Sequence, residues 1–132
     1  MSDVILKAEN VTQRFGGLVA VNAVNFELRK GEIVGIIGPN GAGKTTFFNN
    51  ITGVYPPTEG KIIFKDENIT GKNPYEITSL GMARTFQNIR LFYRMTVLEN
   101  VMVGMHTRTN ANLVDCVLRT PKHRTTEKQA EE

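Results

Sequence analysis

With 132 residues, 40% of them hydrophobic and 22% charged, the chain has an ordinary globular composition and enough length for one core. Sixteen Lys and Arg stand against thirteen Asp and Glu, and the basic residues form no stripe or tail, which argues against nucleic acid as a partner. No apolar run reaches the ~18–20 residues of a membrane span and the opening MSDVILKAEN has no secretory core, so a cytosolic chain is expected, meeting a membrane only through a partner.

In chain order, VILKAENVTQRF (4–15) reads as an edge strand entering a loop. AVNFELRKGE alternates Val24, Phe26 and Leu28 with polar neighbours, a half-buried strand closed by a turn at Lys30 and Gly31. In EIVGIIG, Ile33, Val34, Ile36 and Ile37 form a near-continuous apolar run, the pattern of a strand buried on both faces. A helix is predicted from Lys44 to Thr52, ended by Gly53 with Pro56 and Pro57 beyond. GKIIFKD is a further strand followed by a turn.

Asn73, Pro74 and Glu76 carry a helix-start signature of cap residue, first-turn proline and returning carboxylate. MARTFQ reads as a short strand running out into a loop, and Thr96 with Glu99 makes a capping box for a helix through Val103. Beyond Gly104 the composition turns polar, and EKQAEE is a helical start that stops. The lone Cys116 excludes a disulfide framework and reads as a small buried hydrophobe in a reducing compartment. Two regions are expected: 1–103, and a polar helical continuation over 104–132. The alternation of strands and helices implies α/β with a mixed sheet and parallel core, and the missing cap or closing strand at the C-terminal end implies a truncated domain.

The chemistry concentrates in Gly38, Pro39, Asn40, Gly41, Ala42, Gly43, Lys44 and Thr45, a full match to G-x-x-x-x-G-K-[ST] between a predicted strand and a predicted helix. Glycines let backbone N–H groups turn inward around a triphosphate that side chains would exclude. The following helix adds about half a positive charge at its N-terminus. Lys44 is then the point charge for the β- and γ-phosphates, Thr45 offers a hydroxyl to Mg²⁺, and Thr46 sits towards the α-phosphate. A glycine-rich turn that merely caps a helix would not need the whole pattern.

GPNGAGKTT after RKGEIVGIIG, with GVYPPTEGKIIF beyond, resembles the nucleotide-binding domain of ABC transporters, a P-loop NTPase fold. The resemblance implies ATP as ligand. It places Phe15 of VTQRFGG where that family stacks an aromatic ring on adenine, although a core phenylalanine is the alternative. It makes Val21 a second apolar wall of the base site. It also maps Gln87, after MARTF, onto the glutamine that helps hold Mg²⁺ and the attacking water, alongside Lys44 in catalysis. RFGGLVAVNAVNFEL and GMARTFQNIRLFYRMTVLENVMVG are further similar to the LivG type of ATP-binding subunit in bacterial branched-chain amino acid importers. There Leu91, Phe92 and Met95 are candidate docking residues for a permease, or equally residues of a helical subdomain core.

Implied partners are a second ATPase subunit closing an ATP sandwich, transmembrane permease subunits and, indirectly, a periplasmic amino-acid-binding protein; the implied place is the cytoplasmic face of the inner membrane. The resemblance covers most of residues 4–106. The family's signature motif, acidic strand, catalytic glutamate and switch histidine are not among these residues, and His106 and His123 do not match the switch. The chain is therefore expected to bind ATP without efficient hydrolysis of its own. A binding module without turnover, and a soluble ABC ATPase outside transport, stand as alternatives.

Overall fold

The computed structural model describes residues 3–88 and 91–104. A long antiparallel hairpin dominates the sheet: β1 (Val4–Phe15) returns through Gly16 and Gly17 into β2 (Leu18–Arg29). β3 (Glu59–Phe64) pairs with the other side of β1, and the two-residue β4 (Glu67–Asn68) extends β3, for the order β2-β1-β3-β4. β1 is thus flanked on both sides and is not the edge strand expected. In an antiparallel sheet with one face open, a central strand also keeps polar residues on that face, so alternation does not mark an edge.

The helices start where the caps predict. α1 (Lys44–Ile51) ends in Thr52 and Gly53; α2 (Pro74–Ser79) opens at Asn73, whose N–H donates to Glu76 Oε2 at 2.8 Å. Phe47 and Ile51 of α1 and Ile77 of α2 pack with Leu6, Ala8, Val11, Val21, Ile62, Phe64 and Ile69 in the core, with Val24, Phe26 and Leu28 against it. A buried side chain of this size contributes roughly 1.5–3 kcal/mol, so the sheet face under α1 carries much of the stability.

Two expected strands do not form. Residues 33–37 make no ladder among the described residues, and Ile33 and Ile37 are 99% and 97% exposed. The described sheet is accordingly antiparallel throughout, without the parallel core expected around that segment. An apolar run states what a strand could bury; pairing also needs neighbouring N–H and C=O groups, and no described segment supplies them. MARTFQ is likewise not in a strand.

A bulge in β1 sets which residues face α1. Leu6 and Ala8 point into the core, but the register shifts between Ala8 and Val11, with Asn10 and Ala23 both at positive φ. The extra residue is clamped: Asn10 N–H donates to Asn25 Oδ1 at 2.9 Å and Ala23 N–H to Thr12 Oγ1 at 2.9 Å. A one-residue insertion reverses the parity of a strand, so the core-facing set moves from 6 and 8 to 11 and 13.

Residues Met1–Ala83 form one compact unit and Arg84–Glu132 a second. In the second, α3 (Val97–Gly104) begins at the expected capping box. His106, Cys116, His123 and the C-terminal EKQAEE lie outside the described residues.

Candidate nucleotide site

The loop over residues 38–46 runs straight into α1, and its geometry follows from its two left-handed glycines. Gly41 and Gly43 both have φ of 82°, where L side chains are strained. Ala42 N–H closes a turn onto the Pro39 carbonyl at 3.2 Å. Among the described residues, the N–H groups of Gly41, Gly43, Lys44, Thr45 and Thr46 donate no backbone hydrogen bond, whereas Phe47 N–H reaches Gly43 O at 2.9 Å. Successive unpaired amides at a helix start form an anion cradle, and the helix dipole reinforces it. Gly43 also packs against β2: a Cβ there would fall on the Ala20 carbonyl oxygen and lie 3.3 Å from Val21 Cγ2.

Lys44 bends back across this cradle. Its ammonium donates to the carbonyls of Gly38 and Pro39, each at 2.6 Å, leaving one of three donors for a ligand oxygen. Thr45 is exposed at the helix start and Thr46 half-buried. The cradle of free donors with a fixed cation fits a polyphosphate. Thr45 has the oxygen that a hard divalent cation such as Mg²⁺ prefers.

At the far end of β1, Phe15 is 47% exposed. Its ring forms a T-shaped pair with Tyr55, 5.6 Å between centroids with planes at 83°. Val21 is only 6% exposed and belongs to the core, which leaves it little surface to offer a base; it backs Gly43 instead. Beneath the site, Asn50 Nδ2 donates to Gln13 Oε1 at 2.8 Å and to the Tyr55 carbonyl at 3.3 Å. Asn50 is 3% exposed, and its Oδ1 has no partner among the described residues, an omission that costs about 1–3 kcal/mol. Sequence reasoning missed Gln13, Asn50 and Tyr55. A second aromatic just past the helix was a readable signal for Tyr55, but only the bulge brings Gln13 to Asn50.

Gln87 lies in the second unit, exposed in a bend. Leu91, Phe92 and Met95 are also exposed, so among the described residues they do not form a buried core. Asn100 organises them: its Oδ1 accepts from Phe92 N–H at 2.9 Å, and its Nδ2 donates to the carbonyls of Phe92, Met95 and Thr96. Among the described residues no cluster of His, Cys, Asp and Glu is suited to a metal, and no helix is long and apolar enough to cross a membrane.

The Glu99 carboxyl is held below its ordinary range, chiefly by the Thr96 backbone N–H at 2.7 Å and also by the Thr96 hydroxyl at 2.9 Å. A depressed carboxyl stabilises the capped helix above its unfolded pKa, and that contribution is lost as pH falls through the lower folded value. The Thr96 amide resonance is expected to titrate with a midpoint below that of an unstructured glutamate; an ordinary midpoint would mean that the cap is open in solution.

A helix opened by a glycine cradle and a lysine, packed on an α/β scaffold, defines a P-loop NTPase fold. The profile of the ABC transporter family matches residues 21–132, and the chain belongs to that family. It is 47% identical over 130 residues to the high-affinity branched-chain amino acid transport ATP-binding protein LivG of Escherichia coli (strain K12), covering 98% of this chain and 51% of that protein. Identity is also 47% to BraF of Pseudomonas aeruginosa, a protein of the same description, over 100% of this chain and 52% of that one. The chain spans about half the length of the curated relatives it matches. Among solved structures, MJ1267, an ATP-binding cassette of an ABC transporter, aligns with a TM-score of 0.72 and 37% identity over 90% of this chain and 47% of its own. The dimeric post-hydrolysis cassette MJ0796, bound to ADP and Pi, aligns with a TM-score of 0.69 and 28% identity, over 96% and 54%.

Proposed function

We propose that the chain supplies the ATP-binding part of an ATPase subunit that drives a branched-chain amino acid importer. The single observation carrying the nucleotide assignment is the set of unpaired amides at Gly41 and from Gly43 to Thr46, beside the Lys44 ammonium. In this reading the amides and Lys44 hold the phosphates, Phe15 stacks on adenine and Val21 backs the loop. Thr45 would hold Mg²⁺, which neutralises phosphate charge when bound. Turnover belongs to the assembled cassette, where Gln87 orients water. Two such subunits close on ATP against permease subunits at the cytoplasmic face of the inner membrane, with a periplasmic binding protein delivering the amino acid. Exposed Leu91, Phe92 and Met95 suit the permease contact.

Calorimetric titration with ATP and with tripolyphosphate tests the site. ATP is expected to bind more tightly, and Phe15→Ala should weaken ATP about 5- to 160-fold while leaving tripolyphosphate unchanged, since base–aromatic stacking is worth ~1–3 kcal/mol. Equal loss of both ligands would return Phe15 to a core role, and absence of ATP binding would end the proposal. In a complete transporter complex, Gln87→Ala is expected to spare ATP binding and lower phosphate release at least tenfold; unchanged release would remove Gln87 from the catalytic set. Capture of branched-chain amino acid permease subunits from detergent extract tests the transport assignment.

A further inference from the structure

The Phe15 ring is held by a closed circuit of side chains that leads back to the phosphate helix. Past the bulge, β1 turns Gln13 and Phe15 to the same face, the one on which α1 packs. Gln13 accepts from Asn50 Nδ2 at 2.8 Å, in the last turn of α1. The same amide group donates to the Tyr55 carbonyl, and Asn49 Nδ2 donates to the Tyr55 hydroxyl at 3.2 Å. The chain reverses tightly between these groups, with Val54 N–H on the Asn49 carbonyl at 2.9 Å. Tyr55 then forms a T-shaped pair with the Phe15 ring.

From this circuit we infer that Tyr55, fixed by Asn49 and Asn50, is a positioning residue that sets the tilt of Phe15 for stacking on the base. This rests on the reading of Phe15 as the adenine platform. The chemistry is the edge-to-face preference of aromatic rings: the positive edge of one ring sits against the negative face of another, and this fixes the angle between them. A half-exposed phenylalanine at a strand end otherwise rotates about χ1 and χ2, and that freedom is lost when a base stacks on it. Holding the ring beforehand lowers the entropy lost on binding. Because Asn49 and Asn50 belong to the helix that Lys44 opens, base platform and phosphate cradle are kept at a fixed separation.

The test compares the ATP-to-tripolyphosphate affinity ratio across variants of the intact chain. Tyr55→Leu, which removes the partner ring, is expected to lower ATP affinity about two- to tenfold with tripolyphosphate unchanged. Tyr55→Phe keeps the ring, loses only the Asn49 bond and should recover most of the ratio. In the Phe15→Ala background, Tyr55→Leu should have no further effect, because the positioned ring is gone. Equal weakening of both ligands by Tyr55→Leu would make Tyr55 a structural support and overturn the inference. A normal ratio in Tyr55→Leu beside a lowered one in Phe15→Ala would overturn it while sparing the platform. A normal ratio in Phe15→Ala would overturn both.

Discussion

Lys44→Ala is expected to lower affinity for ATP and for tripolyphosphate alike, by about 30- to 1,000-fold. A charge-assisted bond to a desolvated anion is worth ~2–4 kcal/mol when one partner is truncated, and each 1.4 kcal/mol is tenfold. Both ligands should suffer because Lys44 faces phosphate and not the base: its ammonium lies over the loop, held by the Gly38 and Pro39 carbonyls. Lys44→Arg should rescue little. Two carbonyls at 2.6 Å define a socket for a compact ammonium, and a planar guanidinium has a different shape and reach. Unchanged tripolyphosphate binding by Lys44→Ala in calorimetry would remove the phosphate assignment from this loop.

Gly43→Ala is expected to damage both folding and binding. Its φ of 82° costs an alanine roughly 1–2 kcal/mol. The added methyl would also meet the Ala20 carbonyl oxygen, a backbone atom of β2 that cannot rotate away. Overpacking of this kind adds ~1–3 kcal/mol, so a total near 2–5 kcal/mol is expected in urea unfolding. Two controls divide the effect. Gly41→Ala has the same φ but open space around the new methyl, and should show the backbone cost alone. Gly17→Ala has neither a positive φ nor a neighbour within 4 Å, and should be nearly silent. If Gly43→Ala were no worse than Gly41→Ala, the contact between loop and β2 would not exist in solution.

The candidate site was legible in the sequence to the extent that its chemistry is local. Glycine spacing, Lys44 and Thr45 act within one turn of chain, and so do the Asn73 and Thr96 caps, which appear where their residues place them. Phe15 was reachable only through the resemblance of VTQRFGG to the family's adenine-stacking aromatic. Gln13, Asn50 and Tyr55 were not, because they meet across separations of up to 37 residues and only after the bulge at Asn10 reverses the strand's parity. Val21 illustrates the same limit: an apolar residue near a predicted site can equally belong to the core, and here it does.

Residues 33–37 mark the boundary between the two kinds of information. Their apolar run predicts a strand, yet the fold leaves the segment without a ladder among the described residues and with two isoleucines almost wholly exposed. Pattern within a chain segment settles what that segment can bury and which groups it can present, since those depend on side chains a few residues apart. Phosphate chemistry, helix starts and the α/β class follow from that alone. Which strand is central, which face a residue turns to after a bulge, and which ring leans on Phe15 depend on hydrogen-bond partners far away along the chain. Those choices came with the tertiary structure, because a backbone donor or an aromatic edge is satisfied only by the group that packing brings to it.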